Sequence, residues 1–208
     1  VKGFRNGVGL TLNPGDNQIY SMQHGRDQVA DALGKSVEYN AENPGEEFHL
    51  IVEGADYGWP YCYYSHDEKK KVLGPEYGGD GVKVDRCAST RAPVYAFPGH
   101  WAPNASFFYT GSQFPAEYKE GVFVAFHGSW NRAPLPQAGF NVTFLPMKNG
   151  QATGPHRVIV DGFYGDRSRP NATPGDHRPS GLAQARDGAL LVSDDIGGMI
   201  YRIVYRGN

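Results

Sequence analysis

The chain has 208 residues, of which 39% are hydrophobic, 20% charged and 13% aromatic, and its 20 basic and 22 acidic side chains leave a formal net charge of -2. Its longest apolar stretches, such as Gly121-Val-Phe-Val-Ala-Phe126, run only a few residues, far short of the roughly 18 that cross a bilayer as a helix. Lys69-Lys-Lys71 is the one basic cluster, so the electrostatic footprint of a nucleic-acid binder is missing.

Glycine (28) and proline (15) are spread between apolar runs and form no single tract, a composition that favours many short strands joined by turns. Alternation and β-branched or aromatic enrichment predict strands at 19–23, 48–53, 94–97, 106–109, 122–126, 141–145, 157–160, 189–193 and 199–205. Helix is scarce. Residues 27–33 carry a short helical pattern closed by Gly34, and a loop turn fits them nearly as well. The stretches 64–85 and 164–177 are rich in Gly, Pro and charge without an apolar period. They read as long excursions on one rim, and long loops on a rigid β scaffold are where sites tend to lie.

Two cysteines, Cys62 and Cys87, exclude a cysteine metal cluster and leave one disulfide or two free thiols. Asn104-Ala-Ser106, Asn141-Val-Thr143 and Asn171-Ala-Thr173 fit the N-glycosylation acceptor. Eleven Asn followed at random by 16 Ser and Thr would give roughly one, so the sequons favour an oxidising, secreted or periplasmic setting in which a disulfide persists. The chain opens at Val1 without an initiator Met and without a signal-peptide pattern. The expectation is a processed or partial polypeptide.

A repeat is visible. Arg5-Asn-Gly-Val-Gly9-Leu10 precedes a turn at Asn13-Pro-Gly15 and a strand at Gln18-Ile-Tyr20, while Arg178-Pro-Ser-Gly181-Leu182 precedes Arg186-Asp-Gly188 and Ala189-Leu-Leu191. Recurrence of one hairpin unit in an all-β chain points to a β-propeller. The roughly 170 residues from Gly9 to Gly181 hold about three to four blades of 40 to 50 residues. Pattern alone leaves a β-sandwich open.

Several motifs together resemble the soluble pyrroloquinoline-quinone (PQQ) dependent sugar dehydrogenases, in the sorbosone, aldose sugar and fungal pyranose dehydrogenase branches. They are Gly3-Phe-Arg-Asn6 with Gly9-Leu10, Gln23-His-Gly-Arg-Asp27, Glu53-Gly-Ala-Asp-Tyr-Gly-Trp-Pro60, His127-Gly-Ser-Trp-Asn-Arg132, and Arg178-Pro with Asp187-Gly188 and Ser193-Asp-Asp195. They keep the family's order across essentially the whole chain. The resemblance implies a six-bladed β-propeller holding PQQ and calcium over its axis, of which residues 1–208 supply roughly the C-terminal half as one partial domain. A chain this short cannot close six blades. The missing blades, and with them the general-base histidine, are then expected on a second polypeptide packed against this one, so that no catalytic base is assigned here.

PQQ is a flat tricarboxylate with an ortho-quinone, which calls for cations, planar surfaces and a Lewis acid. By resemblance, Arg5 and Asn6 reach the quinone region and Arg178 forks onto a carboxylate. Arg132 or the neighbouring Trp130 occupies the stretch where relatives place a basic carboxylate ligand. Two carbonyls, of Gly25 and Arg26, take the calcium, which favours oxygen ligands; relatives often have Pro where Arg26 stands. Asp27 is available to brace that loop. His100 and Trp101 fall where relatives build the substrate wall, and Trp59 is expected to fill a blade junction. The family's chemistry implies a sugar as substrate, hydride transfer to PQQ, and a quinone or cytochrome as electron acceptor. Two rivals stand beside it: a calcium-dependent propeller lactonase using Asp194, Asp195 and Asn6, and a non-catalytic sugar-binding propeller.

Overall fold

The computed structural model of the chain describes residues 1–166, 168 and 175–207. Its first sheet begins with the hairpin of β1 (Gly7–Asn13) and β2 (Gln18–Gln23). Two short helices follow, α1 (Val29–Leu33), closed by Gly34 in the left-handed region, and α2 (Val37–Glu42). The sequence pattern missed α2, whose start is fixed by Ser36 accepting the Tyr39 N–H at 3.3 Å. β3 (Glu46–Leu50) then pairs with β2. The chain leaves the sheet for the hairpin β4 (Cys62–Ser65) and β5 (Lys70–Leu73), then returns as β6 (Tyr95–Phe97) against β3.

The hairpin β4–β5 corrects the expectation of a structureless excursion over 64–85: Lys71, Val72 and Leu73 are buried. A disulfide joins Cys62 to Cys87 across 25 residues and settles the open choice between bridge and free thiols. A loop of that length constrains the unfolded chain by about 3–4 kcal/mol. Replacing both cysteines by alanine is therefore expected to lower unfolding stability by about that amount, read as a drop in the urea midpoint with a steeper slope, because the unfolded chain without its crosslink exposes more surface.

The second sheet contains β7 (Pro103–Phe108), β8 (Gly121–Phe126) and β9 (Asn141–Lys148). Its outer position is shared by the two-residue β10 (Gln151–Ala152) and by β11 (Arg157–Val160), both antiparallel to β9. The third sheet is β12 (Pro179–Gln184), β13 (Leu190–Asp194) and β14 (Met199–Ile203). All pairings within these sheets are antiparallel meanders. Among the described residues the fold is all-β, with two short α-helices and three short 3-10 helices.

The innermost strands lie side by side, β7 between β1 and β12, which is how propeller blades meet at an axis. Both arms of the repeat seen in sequence are the first hairpin of a sheet. Its glycine has a physical reason. At Gly9 (φ +67) a Cβ would sit 3.1 Å from the Ala105 Cα and the Ser106 N of β7, so a side chain would push the two inner strands apart. Ser106 Oγ donates across this contact to the Gly9 carbonyl at 3.0 Å.

The core has two main parts, one on each side of the second sheet. Val122, Val124 and Phe126 of β8 face Tyr20, Met22, Phe48 and Phe97 of the first sheet, whereas Phe123 and Ala125 face Leu190 and Val192 of the third. Burial on both faces is why β8 reads as an unbroken apolar run. The outer faces of the end sheets differ. Leu10, Leu12 and Ile19 are exposed on the first, and Ile200 on the third.

Candidate functional site

In an antiparallel meander the start of the first strand and the end of the second lie at the same edge. Residues 5–6 precede β1, 24–27 follow β2, 100–102 precede β7, 127–132 follow β8, 177–178 precede β12, and 195 follows β13. The motifs singled out in the sequence therefore converge on one rim, at the inner strands.

A pocket of about 210 Å³ opens there, lined by Arg5, Asn6, His24, Gly25, Asp27, Glu46, His100, Ala102, Trp130 and Asn131. The Arg5 guanidinium is its hub. Nη1 donates to the Gly25 carbonyl at 2.8 Å and Nη2 to Asp27 Oδ2 at 3.1 Å. Asn131 Nδ2 donates to Asp27 Oδ1 at 2.8 Å and lies 3.2 Å from His100 Nδ1. A carboxylate only accepts, so this bond fixes the Asn131 amide and leaves Oδ1 buried without a partner. His100 Nε2 donates to the carbonyls of Asn40 and Asn43 at 2.7 and 3.1 Å, which makes its Nδ1 the acceptor.

Glu46 forms the floor. Its Oε2 accepts the Gly25 N–H at 2.8 Å and its Oε1 the Ala102 N–H at 3.1 Å, so one side chain ties together two loops of the rim. Burial pushes its carboxyl up to about 8, against the pull of those two N–H bonds and of Arg5. Sequence reasoning missed Glu46 and Asn131. The signal for the former was two glutamates and a histidine inside the strand Glu46-Glu-Phe-His49, because charges within a buried strand need partners.

His24 bridges the first two sheets: Nε2 donates to the Pro103 carbonyl at 2.8 Å and Nδ1 meets Asn6 Nδ2 at 3.2 Å. Burial lowers its basicity, so both ring nitrogens are engaged in the neutral form. Trp130 stands at the mouth, 67% exposed. On the other side of Arg5 and Asp27 lies a second pocket of about 350 Å³, with Arg26, Trp59, Pro60, Glu76 and Tyr77. The half-buried Trp59 ring lies 5.6 Å from the Arg5 guanidinium, a wall and not the expected filler of a blade junction. The Arg26 side chain forks onto Glu76 at 2.6 and 2.6 Å.

Three sequence expectations change here. Arg132 is 8% exposed and its guanidinium is consumed by the carbonyls of Ala41, Gly99 and Pro136 and by Glu42. It braces the loop after β8 and does not line the pocket, so of the two candidates in that stretch Trp130 is the one at the mouth. Trp101 does not line the pocket: its half-buried ring packs edge-on against Phe126 and His156 at 5.2 and 5.5 Å, at the margin of the core. Asn141 is buried, with Nδ2 donating to the Gly139 carbonyl at 3.2 Å, so the folded chain does not present it to a glycan. Asn104 is half-buried on β7; Asn171 lies outside the described residues.

Arg178 sits one blade further round. Nε donates to the His127 carbonyl at 2.8 Å and Nη2 to that of Gly128, while His127 Nε2 meets Asp195 at 2.9 and 3.0 Å. Burial lowers the basicity of both Arg178 and His127. The three lactonase candidates have separate partners: Asp195 pairs with His127, Asn6 with His24, and Asp194 with His177 and three main-chain N–H groups. Among the described residues no group of three His, Cys, Asp or Glu side chains could hold a metal.

The TrAA12-like family model matches residues 1–206. The chain is 30% identical over 204 residues to an uncharacterized protein of Borreliella burgdorferi, covering 98% of this chain and 48% of that protein. It is 26% identical over 229 residues to the PQQ-dependent pyranose dehydrogenase of Coprinopsis cinerea, covering 97% and 30%. The iodide structure of the Trichoderma reesei AA12 enzyme superposes with a TM-score of 0.75 at 25% identity, over 95% of this chain and 52% of that one. The holo PQQ domain of the Coprinopsis cinerea pyranose dehydrogenase has the same fold, with a TM-score of 0.72 at 23% identity over 98% and 54%. The chain spans about half or less of the length of each. Three sheets around one rim and a match along nearly the whole sequence show that the chain belongs to the TrAA12-like family, whose relatives include PQQ-dependent pyranose and aldose sugar dehydrogenases.

Proposed function

We propose that this chain carries half of the PQQ and calcium site of a sugar dehydrogenase. The observation that supports it is the Arg5 pocket, which presents one guanidinium and several oxygen acceptors without a carboxylate cluster. The residues fit both groups. The Gly25 carbonyl and the orphaned, buried Asn131 Oδ1 are hard oxygen donors of residues that line the pocket, a type suited to calcium. Arg26 would add its carbonyl. Arg5 and Asn6 offer donors to an anionic, carbonyl-rich ligand, Trp130 offers a flat face at the mouth, and Arg178 offers a second cation two sheets along the rim from Arg5. PQQ, when bound, supplies the hydride acceptor, and calcium the Lewis acid beside it.

The chain's own contribution is binding and orientation. Arg5 holds its charge between Gly25 and Asp27, Asn131 and His100 keep Asp27 in place, and Glu46 fixes the amide of Gly25. Both ring nitrogens of His24 and His100 are engaged, and His127 Nε2 is paired with Asp195; as the resemblance implies, the base that takes the substrate proton is assigned to a histidine from the rest of the protein. The sugar lies over the mouth beside His100 and Trp130. Blades that this sequence does not span cover the apolar residues of the two outer faces and complete a six-bladed ring. A quinone or a cytochrome removes the electrons, in an extracellular or periplasmic setting where Cys62–Cys87 stays oxidised.

The test is PQQ uptake by the assembled protein in the presence of calcium, followed by the absorbance change on adding an aldose or pyranose. Arg5→Ala is expected to weaken PQQ binding by about 10- to 100-fold, the loss of one charge-assisted pair. An assembled protein that takes up no PQQ sinks this reading and favours a sugar-binding propeller.

A further inference from the structure

Resting on the assignment of Arg5 as a cofactor contact, we propose that Gln23 and Glu47 are positioning residues, which hold Arg5 in place through a buried polar relay anchored by Lys71. The relay starts at the Arg5 main-chain N–H, which donates to Gln23 Oε1 at 3.0 Å. Gln23 Nε2 donates to Glu47 Oε1 at 3.1 Å. The other Glu47 oxygen receives Lys71 Nζ at 2.9 Å and His49 Nε2 at 3.0 Å. All four side chains are at least 95% buried, and none lines the pocket.

The direction of each bond is forced. A main-chain N–H can only donate, so the Gln23 oxygen must face Arg5 and its amide nitrogen must face Glu47. An ionised carboxylate accepts that nitrogen without ambiguity, whereas a protonated one carries an O–H able to turn the amide over and set two donors against each other at Arg5. Burial raises the Glu47 carboxyl, but Lys71 and His49 outweigh it and hold it below the ordinary range. Lys71 comes from β5, in the hairpin tied down by the disulfide. Phe4 adds a second anchor: its ring packs on His49 at 5.4 Å and on Tyr57 at 4.5 Å. The relay lies on the face of the first sheet turned away from the second, beside the exposed Leu12 and Ile19. An insertion remote from the pocket thereby sets the entry angle of its central arginine.

The assembled proteins carrying Gln23→Leu, Gln23→Met, Arg5→Ala and Arg5→Ala with Gln23→Leu would be titrated with PQQ at fixed calcium, beside the visible spectrum of bound PQQ. The Gln23 variants leave the Lys71–Glu47 pair intact. Either is expected to weaken PQQ about 5- to 10-fold, the worth of one buried hydrogen bond, and to shift the spectrum. In the Arg5→Ala background the same change is expected to add less than about twofold, because the residue it positions is gone. Folded Gln23 variants that bind PQQ like the parent overturn the relay, as does an undiminished loss in the Arg5→Ala background, which marks a general structural effect. If Arg5→Ala itself binds like the parent, the assignment of Arg5 fails first and the relay with it.

Discussion

Replacing Lys71 by methionine is expected to lower stability by about 3–5 kcal/mol, because it strands the Glu47 carboxylate in the interior. Lys71 and Glu47 have 4% and 3% of their side chains exposed and are 2.9 Å apart. Removing one partner of such a pair exposes the full desolvation cost of the other. The surface pair Lys2–Asp56, at 3.6 Å with the lysine 74% exposed, belongs to another class, and Lys2→Ala is expected to change stability by less than about 0.5 kcal/mol. Adding Glu47→Gln to Lys71→Met removes the stranded charge, so the double variant is expected to be more stable than Lys71→Met alone. Urea unfolding at pH 7 of these three variants and of Glu47→Gln alone checks them. A double variant as unstable as the sum of its parts would show that packing, and not charge, holds this part of the sheet.

Glu46→Gln is expected to tilt the dependence of stability on pH. A carboxyl raised from 4.5 to about 8 in the folded chain keeps its proton there while the unfolded chain releases it. The sign follows: above pH 4.5 the unfolded state binds fewer protons, stability falls as pH rises, and the penalty saturates above about pH 8. At about 1.4 kcal/mol per unit the ceiling is roughly 5 kcal/mol. Glutamine cannot ionise, so this slope disappears, at a pH-independent cost of about 1–2 kcal/mol for the one N–H its amide cannot accept. The variant should be less stable than the parent at pH 5 and more stable at pH 9. Unfolding of the calcium-free protein at pH 5, 7 and 9 tests it; parallel curves would mean that Glu46 carries its charge throughout.

Much of the site was legible before the fold because its motifs are local. Arg5 and Asn6, Gly25, His100 and Trp130 each fall within a few residues of a strand end, and the meander brings those ends to one edge. Arg132 and Trp101 sit in the same motifs yet point elsewhere, Arg132 toward the carbonyls of Ala41 and Gly99 and Trp101 toward Phe126. A motif fixes where the backbone goes, whereas the side chain's direction depends on which distant groups need a partner. Arg132 is used by the Ala41 carbonyl and Glu42 carboxylate of α2, which the sequence pattern had not revealed as helix, and by the carbonyls of Gly99 and Pro136. The hairpin β4–β5 was hidden for a related reason. Its strands are four residues each and carry Lys70 and Lys71, so alternation had no length in which to show, and burial of Lys71 depends on Glu47 being opposite.

The sequence by itself determined the class of the fold, the repeated hairpin and the positions of most strands, because each of these follows from alternation and turn chemistry within about ten residues. It also determined the family, through motifs spread along the chain in a fixed order. Tertiary structure alone decided the disulfide pairing, the Arg5–Asp27–Asn131–His100 cluster and the Glu47–Lys71 pair, which join residues about 20 to 100 positions apart. Local pattern records whether a side chain is polar or apolar. Which buried donor meets which buried acceptor is set when the sheets close on one another, since inside the protein each such group must find its partner among the few that the fold brings within reach.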